Sequence, residues 1–302
     1  MTLSLLRRSF AALAATLVLM AVAPTASAGT RDHTVVAPDG VTLAVQEAGD
    51  PAGTPVVFVH GLLGSRLNWQ AQLQAPALQR HRLITYDLRG HGLSGKPSQP
   101  EAYAEGRRWA DDLHAIITSL GVRKPVLVGW SLGGAVITNY LAAYGDADLA
   151  GAVYVDGVVE LVPEQIPPHP AVYRDMVSDD LATHLDGEYA FLRLCFHRQP
   201  GERTFARLLA NAALASWDMQ RAVQSMTVPL VEGLGSATVP LLFIYGKHDA
   251  LVRAGPSIAR ARQVNPRVRS TLYEGSGHAP FIEEAERFNR ELAGFVDAVA
   301  PR

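Results

Sequence analysis

Three residues of this chain have the types and the order needed to make a nucleophile from a hydroxyl: Ser131, then Asp249, then His278. A serine hydroxyl is a poor nucleophile at its own pKa. It needs an imidazole to take its proton and a carboxylate to orient that imidazole. Ser131 lies in Gly129-Trp130-Ser131-Leu132-Gly133, a Gly-x-Ser-x-Gly stretch that an apolar run, Val126 to Val128, enters and a helical pattern leaves. A strand-to-helix turn that tight strains the backbone at the serine and leaves no room for side chains at 129 and 133, so both are glycine. The serine then starts a helix, where backbone N–H groups and the positive dipole end favour any negative charge that develops. A Gly-rich turn without chemistry is the plain alternative, and it explains neither the strand before nor the helix after.

The elements that must position these residues follow from hydrophobic period. Two alternating segments from Asp32 to Glu47 flank Pro38-Asp39-Gly40 and predict a hairpin. Pro55 opens Val56 to Val59, a continuous apolar run of the kind a strand buried on both faces requires. Similar short runs recur at Arg82 to Tyr86, Val126 to Val128, Ala152 to Val155, Leu241 to Tyr245 and Ser270 to Tyr273. Amphipathic helical stretches lie between most of them, notably Arg107 to Leu120 and Ser131 to Tyr144, and Glu283 to Val299 closes the chain. This alternation predicts the α/β class: a mostly parallel open sheet with helices on both faces. It breaks between Val158 and Ala237, where the pattern is helical behind Pro163, Pro167, Pro168 and Pro170. The expected organisation is a core of residues 29–157 and 238–302 with a helical cap, 158–237, inserted above the carboxyl edge of the sheet, where such sheets bind ligands. A helical layer without contact to the site is the alternative.

Polar or Gly-rich groups follow the predicted strands: His60-Gly61, Asp87 to Gly92, Ser131, Asp156, Asp249 and His278. Four stretches among them carry a resemblance to the lid-bearing serine hydrolases of the α/β-hydrolase superfamily, from about Thr34 to Val299. They are His60-Gly61-Leu62, Asp87-Leu88-Arg89-Gly90-His91-Gly92-Leu93-Ser94, Gly129 to Gly133, and the pair Gly246-Lys247-His248-Asp249 with Gly277-His278-Ala279-Pro280. The resemblance implies an oxyanion site made by the backbone N–H groups of Leu62 and Leu132; for Leu132 the elbow geometry implies it independently. It also places the acid at Asp249, in a loop similar to the family's acid loop. Asp156 is a second candidate, because some members take the acid from that earlier position, but Asp156-Gly157 also makes sense as a turn into the cap that braces its hinge. His60 is expected to position the oxyanion loop, with Asp87, Arg89 and His91 bracing its neighbour. Trp130, Leu63 and Trp69, with Leu62, are candidates for an acyl pocket or for ordinary packing.

The implied activity is hydrolysis of small-molecule carboxylic esters through an acyl-enzyme, with no cofactor. Dehalogenases and epoxide hydrolases of the superfamily use an elbow aspartate, which the serine here argues against. Hydroxynitrile lyases, cofactor-free haloperoxidases or perhydrolases and carbon–carbon hydrolases keep the same triad and stand as alternatives. A binding protein on a retired hydrolase scaffold is the non-enzyme alternative.

Composition narrows the remainder. With 302 residues, 48% hydrophobic and 19% charged, the chain can build one large core, and a formal charge of -2 without a basic run favours neither nucleic acid nor an anionic surface. Residues 1–28 carry a charged pair, Arg7-Arg8, an apolar stretch from Ser9 to Ala23 and the small-residue site Ala26-Ser27-Ala28. That succession predicts a cleaved secretory signal, with the protein in the periplasm or outside the cell and without a stable membrane anchor. Either the general secretory or the twin-arginine route fits. Cys195 is the only cysteine, so no internal disulfide forms, and its apolar surroundings predict a buried small hydrophobe. No His-Glu-x-x-His occurs among the 10 histidines, and His184 and His197 stand isolated in the cap, so no metal site is expected. No Gly-x-Gly-x-x-Gly follows the first strand, which argues against a dinucleotide.

Overall fold

Apolar runs too short for helices and too continuous for a half-exposed strand form the centre of an eight-stranded sheet in the computed structural model, which describes residues 29–300. The expected export signal, residues 1–28, lies outside the described residues. The strands are β1 (Arg31–Val36), β2 (Thr42–Gly49), β3 (Pro55–Val59), β4 (Arg82–Tyr86), β5 (Val126–Trp130), β6 (Gly151–Val155), β7 (Leu241–Gly246) and β8 (Arg269–Tyr273). Their order is β1-β2-β4-β3-β5-β6-β7-β8, antiparallel through β1, β2 and β4 and parallel from β4 to β8. Val56 to Val59, Val126 to Val128, Ala152 to Val155 and Phe243 to Tyr245 are fully buried, as strands covered on both faces must be. The predicted α/β class and the N-terminal hairpin are both present.

Numbering helices of six residues or more, α1 (Gly106–Ser119) and α2 (Leu132–Tyr144) flank β5 in sequence. Between β6 and β7 the described chain holds no strand. It carries α3 (Pro170–Met176), α4 (Leu181–Leu194), α5 (Glu202–Ala212) and α6 (Trp217–Ala222). Their starts are written locally: Pro170 opens α3, Asp180 accepts from the Thr183 N–H at the start of α4, and Ser216 does the same for Met219 in α6. Finally α7 (Ala254–Val264) joins β7 to β8, and α8 (Ala285–Val299) buries Phe288, Leu292 and Val296. No described helix is long and apolar enough to cross a membrane.

Topology makes the site possible. From β3 the chain runs outward to β4, then returns to place β5 on the other side of β3, so the loops leaving β3 and β5 diverge and open a crevice at the carboxyl edge. Register levels the strand ends: Val59 pairs with Gly129 and Gly129 with Tyr154, while Trp130 pairs with Val155 and Val155 with Ile244. His60, Ser131 and Asp156 therefore leave the sheet side by side.

Candidate active site

Ser131 is the hinge between β5 and α2, with φ 53° and ψ -116°, a conformation that a residue with a side chain rarely holds. The flanking glycines make it possible. A Cβ on Gly129 would lie 2.4 Å from the Gly133 carbonyl oxygen, and one on Gly133 would lie 2.4 Å from that of Val59. The strain is held in place from both sides: Ser131 N–H donates to Val155 C=O at 3.0 Å, and Ser131 C=O accepts from Gly134 at 2.9 Å and Val158 at 2.9 Å. The last of these bonds ties the entrance of the capping segment to the elbow.

Asp249 and His278 come from the loops after β7 and β8, which the backbone zips together through Lys247 N–H to Tyr273 C=O at 2.9 Å and His248 N–H to Ser276 C=O at 3.0 Å. His278 Nδ1 and Asp249 Oδ2 are 2.8 Å apart, with both side chains 1% exposed. The other Asp249 oxygen accepts from the N–H groups of Leu251 at 2.7 Å and Val252 at 3.0 Å. An ionised carboxylate accepts on both oxygens, so Nδ1 carries the proton and Nε2 is left as the base. His278 Nε2 has no hydrogen-bond partner among the described residues. Glu283 and Trp130 hold the histidine's backbone. Glu283 accepts from Gly277 N–H at 2.7 Å and from Arg198 N–H at 2.8 Å, and the Trp130 indole N–H donates to His278 C=O at 2.7 Å.

The two N–H groups expected to hold an oxyanion also lie here. Leu62 and Leu132 both line the cavity beside Ser131, and neither N–H has a partner among the described residues. Leu132 opens α2, where no preceding carbonyl is available. His60 sets the other loop: Leu88 N–H donates to its Nε2 at 2.9 Å, so Nδ1 carries the hydrogen and donates to Gly61 C=O at 2.8 Å. Burial pushes this imidazole down to about 4, so it is a fixed neutral strut at neutral pH.

The stretch after β4 braces that strut. Asp87 accepts from Arg66 N–H and Leu93 N–H, each at 2.8 Å. Arg89 is fully buried, with two bonds of 2.7 Å to Asp112 and a second ion-pair partner in Asp39. Burial opposes its charge, yet the two carboxylates hold the guanidinium above its ordinary range. Arg89→Met is expected to cost about 3 kcal/mol or more in urea unfolding, because it strands the Asp112 charge, and adding Asp112→Leu is expected to recover much of that loss. Equal stability of Arg89→Met and the parent would show that the attraction within the pair does no more than offset its desolvation.

A cavity of about 310 Å³ opens over Ser131. Its wall comes mainly from the capping segment and the acid loop, including Val158, Ile166, Tyr173, Phe191, Leu251 and Val252. The capping segment therefore reaches the site, and among the described residues no charged side chain lines the cavity. Trp130, Leu63 and Trp69 are corrections to the sequence reading, since none of them lines it. Trp130 turns into the layer beneath, 5.1 Å from Phe281; Trp69 is fully buried 4.4 Å from Phe281 and 5.0 Å from Phe58. Leu63, at φ 58° in a turn closed by Gly64 N–H on Gly61 C=O, is 1% exposed. Nor are the two cap histidines isolated: His184 lies 3.1 Å from Glu188 on the next turn of α4, and His197 stacks 3.9 Å from His248. Sequence separation hid the second pairing.

Cys195 is buried, and burial pushes its thiol well up, so it is a packing residue. Asp156, Asp249 and His278 bring one potential metal-ligand atom each within 4.8 Å of one another, the one such trio among the described residues. Asp249 and His278 already bond directly at 2.8 Å, which leaves no room for an ion between those two atoms.

Comparison with known proteins bears on the family. Over 90% of its length the chain is 72% identical to a crystal structure from Burkholderia cenocepacia, covering 100% of that chain with a TM-score of 0.89; that protein's assignment as an aryl esterase is provisional. It is 28% identical to the non-heme chloroperoxidase CPO-A1 of Kitasatospora aureofaciens, over 86% of this chain and 97% of that protein. It is equally 28% identical to the bifunctional esterase/perhydrolase DCH of Acinetobacter calcoaceticus, over 87% and 98%. Residues 54–285 match the family described as alpha/beta hydrolase fold, and the chain belongs to that family.

Proposed function

We propose that this protein is an exported serine hydrolase that cleaves small, uncharged carboxylic esters through an acyl-enzyme. One observation carries the reading. A histidine oriented by a buried carboxylate keeps its second nitrogen free in the same site as a strained serine, whose cavity holds two unengaged N–H groups. His278 Nε2 takes the Ser131 proton as the serine oxygen attacks the ester carbonyl, and Leu132 and Leu62 donate to the resulting oxyanion. The imidazolium then protonates the departing alcohol, leaving the acyl group on Ser131. Water attacks next, its proton passing to His278 and on to Ser131 as the acid leaves. A cavity at the small end of the ligand-pocket range, without a charged wall, favours neutral esters of modest size. The ester activity named for similar proteins supports the same substrate class.

The test is an ester panel graded by acyl length and alcohol size, with fluorophosphonate labelling and mapping of the labelled residue. Turnover of short neutral esters with the label on Ser131 is expected; absence of both would favour a binding protein on this scaffold. A second reading, transfer of the acyl group to peroxide, is supported by the similarity to CPO-A1 and DCH. Peroxide-dependent halide oxidation by the same purified protein would separate it. For export, the charged, apolar and small-residue succession of residues 1–28 supports cleavage after Ala28. Intact-mass analysis of exported protein is expected to show Gly29 as the first residue, and an exported chain retaining Met1 would exclude that cleavage.

A further inference from the structure

Asp156 is more than the turn into the cap that its Asp-Gly sequence suggests. It directly follows β6 at φ 43°, in the left-handed region, and is fully buried. Its Oδ1 accepts from Gly246 N–H at 2.8 Å, while Oδ2 has no partner among the described hydrogen-bond donors. Because Val155 pairs with Ile244, Asp156 leaves the sheet beside the end of β7, and a carboxyl oxygen of Asp156 lies within 4.8 Å of one of Asp249.

Among the groups close enough to feel the charge of this pair are Glu283, Cys195, Tyr173 and Tyr245, from four different parts of the chain, together with His278. None of them is a lysine or arginine. Two ionised carboxylates side by side in such a site repel strongly, and the usual resolution is one shared proton. Asp249 is the member that must stay ionised, because its two oxygens accept from Leu251, Val252 and His278. Burial first, and then the Asp249 charge, push the Asp156 carboxyl well above the usual carboxylate range. An Oδ2 orphaned as an acceptor is satisfied once it carries a hydrogen.

We propose that Asp156 is a positioning residue which, as the protonated member of a carboxyl–carboxylate pair, donates a hydrogen bond to Asp249 and so holds the acid that orients His278. This rests on the assignment of Asp249 and His278 as acid and base made above. The added donor fixes the plane of the Asp249 carboxylate and spreads its charge. A second anion at Asp156 would act in the opposite sense, holding His278 protonated to higher pH and delaying its action as a base.

Two readouts test the proposal on the full chain, with circular dichroism and thermal melting confirming the fold of each variant. The first does not depend on activity. An infrared difference spectrum of parent against Asp156→Asn at neutral pH is expected to show the loss of a protonated-carboxyl C=O band; loss of a carboxylate band instead would overturn the proposal whatever the enzyme does. The second is the pH profile of fluorophosphonate labelling and of ester kcat/KM. Asp156→Ala is expected to lower kcat about tenfold, with KM within about twofold, because it removes a donor to a charged acceptor. Asp156→Asn keeps a neutral donor and tolerates positive φ. It is expected to recover activity to within about threefold of the parent, with the acid-limb midpoint within about 0.3 unit. A midpoint lowered by about one unit or more in Asp156→Asn would mean that an anion had been removed, and would sink the idea. So would full activity of Asp156→Ala, or loss of parent activity with EDTA, which would place a cation between the carboxylates. If Asp156→Ala does not fold, the Asp156→Asn spectrum and midpoint decide alone. If the parent neither turns over esters nor labels at Ser131, the functional reading fails while the infrared result still judges the pair.

Discussion

Ser131→Ala is expected to lower ester turnover by at least about four decades while leaving the thermal melting midpoint within a few degrees of the parent. The size of the loss follows from the chemistry: without the hydroxyl there is no acyl-enzyme, and only cavity binding and the Leu62 and Leu132 N–H groups remain to assist direct attack by water. The small effect on stability follows from the structure. Alanine keeps the Cβ that already sits at φ 53°, and among the described residues the hydroxyl caps no helix N–H and makes no bond to His278 Nε2 whose loss would be felt. Turnover and fluorophosphonate labelling should vanish together. A folded variant retaining a tenth or more of the parent activity would remove Ser131 from the mechanism.

Asp249→Asn is expected to lower kcat by at least about two decades at neutral pH, and raising the pH is not expected to restore it. The amide oxygen can still accept from Leu251 and Val252, so the loop keeps its shape. Its NH₂ then faces His278 Nδ1, which must become an acceptor, and the ring hydrogen moves to Nε2, the nitrogen that has to take the Ser131 proton. A wrong tautomer is not a protonation that base can reverse. The asymmetry with Asp156 is diagnostic: the same change there exchanges one neutral donor for another and is expected to leave activity within about threefold of the parent. Kinetics on both variants decide the ranking, and the reverse order would make Asp156 the orienting acid.

The strands that reach the site and the residues at their ends were legible because their signals are local. A run such as Val56 to Val59 or Leu241 to Tyr245 is apolar at every position, which identifies a doubly covered strand without knowledge of its neighbours. Gly129 answers to a steric clash with Gly133 within five residues of chain, whereas a side chain at Gly133 would meet the Val59 carbonyl at the end of β3, a clash that only the pairing of β3 with β5 creates. Local motifs, chain order and the family resemblance together brought Ser131, Asp249 and His278 into consideration. What period and composition do not carry is direction across the sheet. The reversal of strand order between β3 and β5 opens the crevice that Leu62 and Ser131 share, and it is a property of pairing between segments tens of residues apart. The side of a strand on which a large ring comes to rest is decided the same way. Trp130 and Trp69 suited a pocket by type, but packing against Phe281 drew both into the core, and the cavity wall went to capping-segment residues such as Val158 and Ile166. The two aspartates follow the same division. Each closes its own strand in the sequence, and only the levelling of β6 against β7 brings their carboxyls together, where mutual repulsion and exclusion of water give them different states.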